Sequence, residues 1–106
     1  MYLKLILLLS LLPLQENPYC KMYGSFYEVD SPSKADFIIY EELSEPSADL
    51  IVYEETNRLY ADRPGIWFFE EKESFARYRV FFTNKPGKAD VKVFFTEYES
   101  FAGCNQ

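Results

Sequence analysis

Hydrophobic and polar residues alternate along this chain in short bursts, and the bursts recur. The plainest is ADLIVYE at 48–54: a small residue, an acid, then β-branched and aromatic residues. Related phrases are ADFIIYE (35–41), ARYRVFFT (76–83) and ADVKVFFT (89–96). Side chains two apart share a face only in a strand, so each phrase predicts one. One parity is apolar in every copy: Ala35, Phe37 and Ile39; Ala48, Leu50 and Val52; Ala76, Tyr78 and Val80; Ala89, Val91 and Val93. Phe37, Ile39, Leu50, Val52, Tyr78, Val80, Val91 and Val93, with Trp67 from a stretched copy, form the predicted core. The other parity changes from Ile38 and Ile51 to Arg79 and Lys92. That change predicts early strands covered on both sides and later ones with one side in water. Beyond residue 15 no sustained 3.6-residue pattern predicts a helix.

The bursts keep a cadence. Alanines stand at 35, 48, 61, 76, 89 and 102, giving spacings of 13, 13, 15, 13 and 13. Pro64-Gly65 lies in the long gap, and two inserted residues restore the register. That insertion predicts a tight turn or bulge before the strand resumes at Trp67. A fainter first copy, KMYGSFYEV, begins near Met22. Breakers at Asp30-Ser31-Pro32, Ser44-Glu45-Pro46 and Asn84-Lys85-Pro86-Gly87 fall between strands. A strand of about six residues spans roughly 20 Å, and the seven or so left over reach about 25 Å. They permit a wide hairpin loop or a single crossing over the layer, but not a helical crossover. The expected fold is all-β: one small domain, residues 16–106, of about six 13-residue strand-loop repeats.

Residues 1–15 read as a signal peptide. Lys4 is the only charge, and Leu5 to Leu12 form an apolar run too short to span a bilayer. No small-residue pair marks a cut site near Pro13. Cys20 and Cys104, the only cysteines, flank the repeats. In an exported protein an even count suggests a disulfide, here joining the two ends of the domain. The alternatives fit less well. A lipid-bearing Cys20 would follow small residues rather than Asn17-Pro18-Tyr19, and two cysteines without histidine fall short of a metal site.

Composition narrows the function classes. The formal charge is −6, which argues against nucleic acid and anionic membranes as partners. The ten Phe and nine Tyr supply the apolar area that so small a domain needs. With no histidine, the commonest general base is missing, and Ser-His and Cys-His nucleophiles are excluded. A facing carboxylate pair of the glycosidase kind stays open only because acids are plentiful.

Two series of residues carry candidate chemistry. Ala35-Asp36, Ala48-Asp49, Ala61-Asp62 and Ala89-Asp90 place an acid after the alanine. Stacked, these acids could form a calcium ladder. The simpler reading is a short acid that accepts backbone N–H bonds and fixes a turn. Aromatics five places after the alanine (Tyr40, Tyr53, Phe81 and Phe94, with Phe68) could form a sugar-binding platform. The simpler reading puts them in a second layer of the core.

The Ala-Asp phrases, the stretch NRLYADRPGIWFFE (57–70) and the ending YESFAGC (98–104) together resemble the small bacterial septoil-knot domain family, named for a backbone knot with seven crossings. The resemblance covers about residues 20–104. Arg77, in place of the acid, and the weak first copy depart from it. It implies a deeply knotted β-repeat in which successive strands thread past one another, and it brings no catalytic residues. Spacing alone would favour an unknotted β-repeat or small barrel, since chains almost never thread their own loops. The expected function is an exported, non-enzymatic structural or protein-interaction module. It needs no cofactor or metal; its specific function and partner are not read from the sequence, an envelope or extracellular protein being the candidate class. The alternative is a secreted inhibitor or carbohydrate-binding domain presenting acids and rings.

Overall fold

The computed structural model describes residues 17–105, and the signal-peptide reading of residues 1–15 lies outside them. Seven strands are present: β1 (Gly24–Glu28), β2 (Phe37–Glu41), β3 (Leu50–Glu54), β4 (Ile66–Phe69), β5 (Tyr78–Thr83), β6 (Val91–Thr96) and β7 (Gly103–Cys104). No α-helix occurs among the described residues. Neighbouring strands run in the order β4-β1-β5-β2-β6-β3, and a β3–β4 pairing closes the circle. All pairings within this six-stranded barrel are parallel, so the links are crossings and none is a hairpin. The short β7 lies antiparallel beside the first half of β3, on the edge whose second half β4 occupies.

Each link carries a short 3₁₀ turn, a feature the period-two pattern does not announce. The turns before β2 to β7 are Pro32–Lys34, Glu45–Ser47, Arg58–Tyr60, Glu73–Phe75, Pro86–Lys88 and Glu99–Phe101. The repeating alanine closes every one. Its N–H donates to the carbonyl three residues back, from Ala35 to Pro32 (3.2 Å), Ala48 to Glu45 (3.1 Å) and likewise through Ala102 to Glu99 (3.1 Å). At five of the six turns the alanine then leaves in extended geometry into the next strand; Ala61, at ψ 66°, instead enters the Pro64-Gly65 turn that precedes β4. Proline inside three of these turns supplies a fixed φ where no N–H is needed.

The interior takes the alternating set. Phe26, Phe37, Ile39, Leu50, Val52, Trp67, Val80, Val91 and Val93 form one buried cluster, with Tyr78 half-buried against it. Small barrels are filled by side chains and leave no lumen. The links, whose turn residues are exposed, therefore pass outside the wall; the turn Pro32–Lys34 packs on β5 and the turn Glu99–Phe101 on β3. On the outer wall Ile51 is buried, while Ile38, Arg79 and Lys92 are all half-buried, so the expected contrast between early and late strands holds at β3 and fails at β2. The fifth-place aromatics correct an expectation. Tyr40, Tyr53, Phe68, Phe81 and Phe94 sit half-buried on the outer wall and fill no second core layer, because their parity points away from the axis.

With β7 in its place, the circular order is β1, β5, β2, β6, β3, β7, β4. Each strand therefore stands two places on from its predecessor, and the chain circles the axis twice, laying later strands between earlier ones. Two places beyond β7 is β1. The disulfide makes that last step: Cys104 in β7 bonds Cys20, just before β1, across 84 positions. Seven steps of two places close the ring in two circuits, the last of them sealed by sulfur.

Gly65 marks a close approach in this winding. It ends the Pro64-Gly65 turn with φ +83°, and an added Cβ would lie 2.7 Å from the Gly103 nitrogen. Gly65→Ala is expected to lower stability by about 1–3 kcal/mol from backbone strain alone, with the clash against β7 adding to it. Urea denaturation followed by Trp67 emission checks this, and a loss near zero would show that the crossing has slack.

Candidate functional site at the carboxyl mouth of the barrel

The two ends of the barrel differ. The amino end is stoppered by the segment leading into β1. Tyr19 packs on Phe37 with ring centroids 4.9 Å apart, Met22 lies against the core, and the Met22 carbonyl accepts from Trp67 Nε1 (3.2 Å). Burial, helped by the nearby Asp90 charge, pushes the Tyr19 phenol above its ordinary pKa. The carboxyl end is open. A cleft of about 930 Å³ is set there, walled by strand ends and by the residues that follow them.

The sixth residue after each repeat's start points into this mouth. In the first circuit it is Glu28, Glu41 and Glu54; in the second it is Phe69, Phe82 and Phe95. Because the circuits interleave, acids and rings alternate around the opening: Glu28, Phe82, Glu41, Phe95, Glu54, Phe69. The three Phe rings form an even triangle, each pair of centroids 6.2 Å apart, tilted by 42–55°. They make an apolar floor resting on Trp67, which meets Phe69 and Phe95 edge-on. The three carboxylates are exposed at the rim, joined by Tyr27, Tyr40, Thr83, Asn84 and Leu43, the last 90% exposed.

A fourth acid is held differently. Glu70 follows Phe69, and its side chain is only 2% exposed. Arg58, from the turn before β4, grips it with two hydrogen bonds, Nε to Oε2 (2.7 Å) and Nη2 to Oε1 (2.8 Å). That bond, then the Glu70 charge, raises the Arg58 pKa further. The guanidinium also lies over the Phe68 and Phe75 rings, at 5.7 and 5.4 Å. The Glu70 carboxylate is thus paired with a cation, while no Lys or Arg lines the open cleft.

The residues singled out by the repeat lie elsewhere. Asp36, Asp49 and Asp90 sit at strand starts, where each carboxylate accepts a backbone N–H from a neighbouring strand: Arg79 (2.7 Å), Lys92 (2.9 Å) and Ile38 (2.7 Å). They bind strands 43 or 52 positions away and fix no local turn. Asp62 is exposed and accepts from its neighbour Arg63 (3.3 Å). Ala48 and Ala61 are buried, Ala35 and Ala89 half-buried. No group of three His, Cys, Asp or Glu among the described residues is placed to hold a metal ion. The repeat does not announce the mouth, because the signal sits at the sixth place and changes identity midway, from Glu to Phe.

The family model for the 7(1) septoil knot domain matches residues 19–105. The chain belongs to that family. Comparison with curated proteins and with solved structures gives no match. In this septoil knot domain the Cys20–Cys104 bond fits an oxidising environment. No helix among the described residues of this septoil knot domain is long and apolar enough to cross a membrane.

Proposed function

We propose that this chain is an exported, non-catalytic protein-interaction module and that the carboxyl mouth of its barrel is the working face. The observation that carries the reading is the contrast between the two ends. One end is filled by the chain itself; the other holds an apolar floor inside an acidic rim. Ligands commonly sit in barrel mouths, where strand ends aim several side chains at one space. The disulfide and the leader-like apolar run support export to a secreted or periplasmic location. The lack of any histidine supports a binding role over a catalytic one. The acidic rim supports a protein partner over nucleic acid. The half-buried outer rings lend less to a sugar platform than a fully exposed row would.

Photo-crosslinking tests the reading. A crosslinking residue is placed at Leu43 or Thr83 on the rim, and at Ser33, exposed in the turn that packs outside β5, as a control. Each protein is then incubated with the culture fluid or envelope extract of its source. Discrete adducts from the rim positions and none from Ser33 are expected. Equal labelling from the rim and from Ser33, or none from the rim, would sink the mouth as the working face.

A further inference from the structure

Building on the mouth as the working face, we propose that its occupant is an arginine side chain presented by a partner protein. The guanidinium would rest on the Phe69–Phe82–Phe95 floor, ringed by Glu28, Glu41 and Glu54.

Four observations converge on this chemistry. The cleft is lined by acids and aromatic or small polar residues with no cation, and the one lining acid with a basic partner, Glu70, is already matched by Arg58. The three rim carboxylates therefore lack a counter-charge within the cleft. They also stand around low-dielectric walls, which focus the field on the opening.

The floor decides which kind of cation. A metal ion needs converging oxygen ligands at about 2.3–2.6 Å, but here the carboxylates are separated from one another by phenyl rings. No such ligand group exists among the described residues. A cation with an apolar, stackable body suits a carboxylate-and-ring lining. Guanidinium stacks on aromatic faces and pairs with carboxylates in a planar fork, whereas an ammonium stays more strongly hydrated. The protein already shows this pairing next door, where Arg58 joins a carboxylate to two Phe rings.

Size and rim decide the carrier. About 930 Å³ exceeds one side chain. Leu43, almost fully exposed on the rim, offers apolar contact outside the cup. A protruding protein loop can fill the cup and reach that rim together.

The test uses the disulfide-bonded protein with a capped tetra-arginine peptide, followed by backbone amide NMR shifts. Tetra-citrulline, which keeps the shape and loses the charge, is the comparison. Binding is expected to move signals of β1–β6 carboxyl ends and to weaken as ionic strength rises. E28Q/E41Q/E54Q should weaken it about tenfold or more, and F82L several-fold. E45Q/D62N, which removes acids away from the mouth, should leave it unchanged. Native Trp67 emission in every variant shows that the fold is retained.

Equal mouth binding of citrulline and arginine peptides would overturn the arginine inference and leave the mouth standing as an interaction face. Arginine binding that is insensitive to the triple substitution, or that maps elsewhere, would overturn both. Absence of any binding would overturn the inference, and the rim crosslinks then judge the mouth on their own.

Discussion

Reducing the Cys20–Cys104 bond, or replacing it by C20S/C104S, is expected to remove about 4–5 kcal/mol of stability. The bond closes a loop of 84 positions, and the chain-entropy argument gives that magnitude for such a closure. In a domain this size the loss corresponds to a fall in Tm on the order of 20 °C or more, a large share of the ~5–15 kcal/mol that typical domains hold. The effect has a second, kinetic part that follows from the winding. With the bond intact, residues 20–104 are a closed covalent ring, and denaturant cannot undo its crossings. Oxidised protein should refold quickly because its threading survives. Reduced protein, left long enough in denaturant to untie, must thread again and should refold far more slowly, on top of the cost of its non-local strand pairs. Refolding traces from oxidised and reduced protein, followed by Trp67 emission, check both parts. Identical rates after prolonged denaturation would argue against a seam that seals the crossings.

Much of this winding is legible in the residues, and the illegible part has physical causes. Strand positions and parity follow from alternation, since a pleated strand sends every second side chain inward; Phe37, Ile39, Leu50, Val52, Val80, Val91 and Val93 all lie inside. The 13-residue cadence reports the equivalence of the strands. It is silent on direction, because a loop of seven or so residues can return as a hairpin or cross outside a neighbour. The parallel pairings require crossings, and the alanine-closed 3₁₀ turn compacts each link; in all but the link to β4 it sets the chain down within two residues of the next strand. The knotted reading comes from the family resemblance and not from spacing. The mouth is a property of interleaving. First-circuit strands end in YE at Tyr27-Glu28, Tyr40-Glu41 and Tyr53-Glu54, while later strands carry FF at Phe68-Phe69, Phe81-Phe82 and Phe94-Phe95. The two pairs share no chemistry until β4, β5 and β6 are set between β1, β2 and β3. A small domain's need for apolar area argues for placing the outer rings inside, yet their parity already points outward, and parity wins.

Trp67→Ala is expected to cost about 3–5 kcal/mol, the range for emptying a large aromatic from a packed core. Trp67 has no exposed surface. It stacks on Phe26 with centroids 3.9 Å apart and meets Phe37, Phe69 and Phe95 edge-on. Its Nε1 also donates to the Met22 carbonyl, tying the core to the stopper at the amino end. Removing the indole therefore leaves a cavity beneath two of the three floor rings and frees one contact of the plug. Trp67→Phe keeps a ring in place and should cost less, the difference reporting lost volume and the Nε1 bond. Guanidinium denaturation followed by circular dichroism gives both values, since each variant lacks the tryptophan signal. The alanine variant should also lose affinity for arginine peptides even where it stays folded, because Phe69 and Phe95 can sink into the space below and open the triangle. A stable W67A protein with an unaltered mouth would mean that the floor is held by the wall alone and that the core beneath it is dispensable.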